Sequence, residues 1–222
     1  MTTRPTASRT RLLADGLFVL QMVCALGFGI SQFVKMLETT QGVSLSWLLL
    51  WALFLVINVR LAVQAHAIRP SRISRQTIAT YLAWLCMLGI NLGLLAWRHD
   101  TPWTGMDSLT AALAAAGTLL VLGVGRWHGL GAHDPLVRGW MAVFFKGVPQ
   151  LTLAWHMANV GGAGLSAFVV WTGHFMICTR LCQLVFSIRE AGWDRARAGS
   201  LISEVANEGS WIVATVVWVM VT

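Results

Sequence analysis

Successive apolar stretches, each near the length that crosses a hydrocarbon core, constrain this chain more than any motif does. Hydropathy predicts spans over about 12–36, 45–67, 77–97, 107–126, 136–157 and 165–188, with a last one from near Ser200 to Thr222. In hydrocarbon every backbone polar group needs an internal partner, and a run of this length meets that demand as a helix. The expected fold is therefore all-α and polytopic, with seven transmembrane helices. Residues 1–30 resemble a signal peptide only superficially. Their apolar run is long, contains Asp15 and has no convincing small-residue cleavage site, so it is read as a retained first helix.

Composition agrees. The chain is 56% hydrophobic and only 11% charged, about half the charge fraction of a soluble domain. Its net charge of +7 does not imply nucleic acid, because most of it sits in short loops without an aromatic-interleaved basic patch. The amino-terminal arm (Arg4, Arg9, Arg11) and loops 66–76, 126–138 and 189–199 hold eleven Lys/Arg, whereas the alternate loops hold Lys35 and Arg98. That bias predicts a cytoplasmic amino terminus in the cell (inner) membrane. The four cysteines all fall in apolar segments and read as small buried residues.

Residues 144–155 break the apolar pattern with a lysine, a proline and a glutamine within five positions. Polar groups at that depth are costly and face a bundle interior or a cavity. Lys146 and Gln150 share a helical face, and Pro149 weakens the helix beside them. The region has an echo. Gly29-Ile30-Ser31-Gln32 matches Gly147-Val148-Pro149-Gln150, and Gly42-Val43-Ser44 matches Gly164-Leu165-Ser166. Trp51 and Arg60, nine apart, match Trp171 and Arg180, also nine apart. The expected organisation is a first three-helix repeat over 1–100, a linker helix over 101–132 and a second repeat over 133–222, in parallel orientation.

On Pro149-Gln150, the degenerate Ser31-Gln32 and the 3+1+3 layout, the chain resembles the PQ-loop superfamily of SWEET and SemiSWEET-like membrane proteins. That resemblance implies two triple-helix bundles rocking about a central cavity, with the prolines as hinges and with tryptophans and asparagines in the pocket. Asn207 matches the pocket asparagine, and Thr80 stands at its third-span counterpart. Two departures stand out: Ser31 replaces a proline, and the charge bias reverses the orientation of SWEET-type members.

The expected cavity set is thus Gln150, Lys146, Gln32, Asn207, Trp171 and Glu208. The expected hinge set is Pro149, Ser31, Gly147 and Gly29, and the gate or coupling set is Arg60, Arg180 and His174. Each has a structural alternative. Lys146 is a solute-facing cation or a counter-ion for Glu208, or else it snorkels or pairs structurally. The glutamines line the cavity or glue helices together. Arg60 and Arg180 gate or reach for headgroups, and His174 relays protons or packs. Glu204 either pairs with Lys146 or Arg180 or sits in a solvated interfacial turn. No nucleophile–histidine–acid set, HExxH motif or retinal lysine is present, so neither an enzyme nor a cofactor or metal site is expected. The expected partners are the lipid bilayer and a small polar solute (sugar, amino acid or organic acid), with a homo-oligomer left open and no nucleic acid. The expected function is solute transport by alternating access. The alternative is a non-transporting receptor or adaptor on the same fold.

Overall fold

The computed structural model describes the backbone of residues 6–222 and the side chains of 15–189 and 192–222; Arg4, Arg9 and Arg11 lie outside the described side chains. Among the described residues every regular element is helical. Helix α1 is Thr6–Glu38, α2 is Leu45–Ile68, α3 is Arg72–Arg98 and α4 is Gly105–Trp127. Helix α5, Pro135–Ala142, runs through a π-helical turn, Val143–Gly147, directly into α6, Val148–Val160. Helices α7, Ala167–Ala191, and α8, Arg195–Val221, complete the chain.

Among the described residues, five helices are long and apolar enough to cross a bilayer: Asp15–Glu38 of α1, all of α2, α3 and α4, and Ala167–Arg189 of α7. By length and composition this is a multi-pass membrane protein. The other two expected spans fall outside that set for a physical reason. The π turn cuts the fifth into pieces of 8, 5 and 13 residues, and the last carries Arg195, Arg197, Glu204 and Glu208. Outer faces are apolar, as on α1, where Val19, Val23, Leu26, Ile30 and Val34 recur at helical spacing and are exposed. Only Cys24 of the four cysteines is buried; Cys86, Cys178 and Cys182 lie exposed on such faces.

Local chemistry sets the helix ends. Ser44 caps α2 by accepting from the Trp47 N–H, and Ser71 and Thr104 start α3 and α4 with capping boxes. Asp134 caps α5, with Pro135 at its first position, and Asp194 caps α8. The π turn has its own cause. Pro149 has no N–H to offer the Phe145 carbonyl and its ring would crowd that turn. The helix widens ahead of it, with the Val148 N–H reaching back to the Val143 carbonyl.

Packing sorts the helices into two trios. Helix α3 packs against both α1 and α2, and α8 packs against α5, α6 and α7. The trios meet through α1 on α7 and through α2 on α6 and the π turn, while α4 lies against α2, α5 and α6. One end of the molecule carries the arginine-rich connections 69–71, 128–134 and 192–194 with the adjoining helix ends (the basic end). The opposite end carries 39–44, 99–104, 161–166 and the carboxyl terminus.

Candidate functional site

A cavity of about 480 Å³ separates the trios, within the range of small-molecule sites. Its walls come from Trp51, Phe54, Leu55 and Asn58 of α2, Phe145, Lys146 and Gln150 around the π turn, Gly173, Met176, Ile177 and Arg180 of α7, and Ser203, Glu204 and Asn207 of α8. Ala132, His133 and Ala196 also border it, so it reaches the basic end. Aromatic rings close it at the other end. Trp47 and Trp211 stack across the trios at 6.0 Å and 20°, and Phe28, Trp51 and Trp84 meet at 5.1–5.2 Å. The Trp211 ring lies where a Cβ on Gly173 would fall, 2.5 Å from its Nε1, so the glycine makes room for the stack.

Lys146 is the most buried cation of the cavity wall. Its Nζ donates to Ser203 Oγ and to Glu204 Oε1, both at 3.3 Å, and sits 5.1 Å from the Phe54 ring centroid. Arg180 approaches the same carboxylate oxygen at 3.8 Å. Arg138, on the first turn of α5, donates to Asn58 Oδ1 at 3.3 Å across the cavity. Gln150 is held within its own trio: its Nε2 donates to Asn207 Oδ1 at 2.9 Å, and its Oε1 accepts from Ser210 Oγ at 2.5 Å.

Gln32 is placed differently from its sequence match. It lies on the face of α1 that carries Phe28, one turn further from the basic end, and is completely buried. Its Nε2 donates to the Gly164 carbonyl at 2.8 Å and its Oε1 accepts from the Ser166 N–H at 3.1 Å, beside a Ser31–Ser166 hydroxyl pair. The Gly164 N–H in turn bonds the Gln41 carbonyl at 2.8 Å, and the Gln41 amide bonds the Val160 carbonyl. Gly42, at φ +79°, sits so close to the Gly161 carbonyl that a Cβ would fall 2.1 Å from it. These bonds form a seam that joins the trios beyond the aromatic floor.

Of the expected cavity residues, the structure brings together Lys146, Gln150 and Asn207, joined by Arg180 from the gate set. Gln32 lies in the seam. Trp171 is 60% exposed on the outer face of α7, because the cavity face of that helix runs through Gly173, Met176, Ile177 and Arg180. Glu208 is one residue off the cavity face of α8 and turns to α7 instead. There its Oε1 meets His174 Nδ1 at 2.6 Å, and His174 Nε2 meets Thr215 Oγ1 at 2.8 Å. Arg60 is exposed outside the cavity. Pro149 and Gly147 are buried at the π turn, Ser31 joins the seam, and Gly29 marks a close approach of α1 to the Met87 side chain. Thr80 is buried and bonds the Gln76 carbonyl within its own helix.

Glu204 pairs with Lys146 and Arg180, one of the alternatives read from sequence; the residues missed from sequence are Asn58, Arg138 and the tryptophans at 47, 51, 84 and 211 as cavity lining. A usable signal existed. Counted from the N-cap serines Ser44 and Ser166, Trp51, Phe54, Leu55 and Asn58 stand at the same steps as Gly173, Met176, Ile177 and Arg180, and all eight line the cavity. That register pairs Arg180 with Asn58 rather than Arg60, and Gly173 rather than Trp171 with Trp51. No protein-family model, curated protein or solved structure matches the chain.

Proposed function

We propose that the protein carries a small polar solute across the membrane by alternating access. In this reading seven membrane-crossing segments form two parallel three-helix repeats joined by α4, with the basic end in the cytoplasm. The chain would stand in the state open to that side. The observation that carries the reading is one cavity with two unlike ends. It is lined by charged and amide groups, reaches the basic end, and is shut at the other by the Trp47–Trp211 stack and the Gln32–Ser166 seam. A carrier needs such a pair of ends, one closed while the other admits solute. The matched steps of α2 and α7 from their capping serines, and the like packing of α3 and α8 within their trios, support the repeat.

Lys146, Gln150, Asn207 and Arg180 would contact solute, and the π turn ahead of Pro149 would absorb the bend of the fifth segment. Single cysteines in place of Asn58 and Ser200, in a background without the native cysteines, test the cavity's access. A membrane-impermeant thiol reagent is expected to reach both from the cytoplasmic face alone. Counterflow of labelled sugars, amino acids and carboxylates in proteoliposomes then separates a carrier from a receptor or adaptor. Saturable binding without exchange for any solute overturns the carrier reading.

A further inference from the structure

We propose that the solute is a small organic anion, a monocarboxylate with a flat apolar body; this rests on the cavity being the solute site of a carrier. Three cations line the cavity, Arg138, Lys146 and Arg180, against one carboxylate, Glu204. Glu204 Oε1 is already shared between Lys146 at 3.3 Å and Arg180 at 3.8 Å. Arg138 has only the neutral Asn58 amide at 3.3 Å, and no carboxylate within ion-pair distance among the described residues. The nearest acid in sequence, Asp134, caps α5 and pairs with Arg195 at 3.5 Å, outside the cavity lining. The cavity therefore carries positive charge in excess, with Arg138 solvent-exposed where it reaches the basic end, so an anion is drawn in and a cation repelled.

The closed end specifies the rest of the molecule. Its floor is Phe28, Trp47, Trp51, Trp84 and Trp211, and the Trp211 N–H is already donated to the Val170 carbonyl at 3.1 Å. The Trp84 N–H is buried there without a partner among the described residues, so the floor offers aromatic faces and few hydrogen-bonding groups, which suits a ring and leaves most hydroxyls of a sugar unpartnered. A solute with its carboxylate towards Arg138 and Arg180 and its ring on the tryptophans satisfies both ends.

Benzoate, benzamide and benzylamine differ in charge but share the ring, so they isolate the claim. Each is titrated against the purified full chain in detergent and read as a thermal shift. Benzoate is expected to bind at least about tenfold more tightly than benzamide, as a charge-assisted hydrogen bond implies, with benzylamine weakest. Arg138→Gln and Arg180→Gln are each expected to weaken benzoate about tenfold and to leave benzamide unchanged, with Arg180→Lys recovering part of the loss. Arg126→Gln, at the end of α4 outside the cavity, controls for net charge. Equal binding of benzamide or benzylamine, no response to any probe, or benzoate binding indifferent to both arginine variants overturns the proposal. Counterflow separates the two readings. Benzoate bound without exchange keeps the anion site and removes the carrier, whereas exchange of a neutral sugar in preference to benzoate keeps the carrier and removes the anion.

Discussion

Gln32 and Gln150 occupy matching places in the sequence and opposite places in the molecule. Gln150 faces the cavity, held by Asn207 and Ser210 of α8 within its own trio. Gln32 crosses between trios and satisfies a carbonyl and an N–H at the start of α7. Helix α4 accounts for much of the difference. On the other side of the molecule the capping serine of α2, Ser44, donates to Asp107 of α4 at 3.0 Å, and the Ser46 N–H bonds the same oxygen at 2.9 Å. Asp107 thus does for the start of α2 what Gln32 does for the start of α7. One glutamine is left to the cavity and the other is committed to the seam. Two matching glutamines thus end as a bond between the trios on one side and a cavity-facing group on the other.

The largest expected effect comes from the seam. Gly42→Ala places a Cβ against the Gly161 carbonyl at a positive φ, adding about 1–2 kcal/mol of backbone strain to a clash with a rigid neighbour. Exchange is expected to fall more than tenfold, with the seam opened to a thiol reagent from outside. Next is Lys146→Met, which removes the nearest cation from a largely buried Glu204 and is expected to cost about 3 kcal/mol of stability. The double variant with Glu204→Gln recovers part of the lost thermal midpoint. Phe28, at the matching position of α1, carries no charge, so Phe28→Leu is expected to cost less than about 1.5 kcal/mol.

The glutamines themselves give the sharpest contrast. Gln32→Leu strands two buried backbone groups and is expected to cost about 2 kcal/mol or more. Gln150→Leu costs about 1 kcal/mol but lowers solute affinity about tenfold. Denaturation midpoints and binding titrations should therefore rank the two variants in opposite orders. Trp171→Leu, on the outer face, is expected to stay within about 0.5 kcal/mol in stability and to leave affinity unchanged. A loss of binding there would return Trp171 to the cavity.

Helices were legible in the sequence because apolar runs of spanning length admit little else. Lys146 and Gln150 were legible because a polar group at depth must face something polar, whereas Asn207 came from the resemblance to a pocket asparagine and Arg180 was read as a gate. The rest turned on rotation about helix axes. Glu204 lies three residues before Asn207 and seven before Trp211, on one stripe of α8, whereas Glu208 falls a third of a turn away towards His174. Spacing the tryptophans and arginines from each other, rather than from the N-cap serines, put Trp171 in the cavity set and Arg60 in the gate set. The part played by α4 had no sequence sign, since Asp107 reads as an ordinary first-turn acid until α2 is set beside it.

The central claim is that the two ends of the cavity open in turn. Spin labels at His66 and Ala196 span the basic end, and labels at Glu38 and Asn159 span the seam. Pulsed electron resonance distances for both pairs in lipid, with and without bound benzoate, test it directly. The account predicts two populations that change reciprocally, the basic-end distance shortening in the one in which the seam distance lengthens. A single, ligand-independent distance at both ends would contradict alternating access and leave a binding protein in its place.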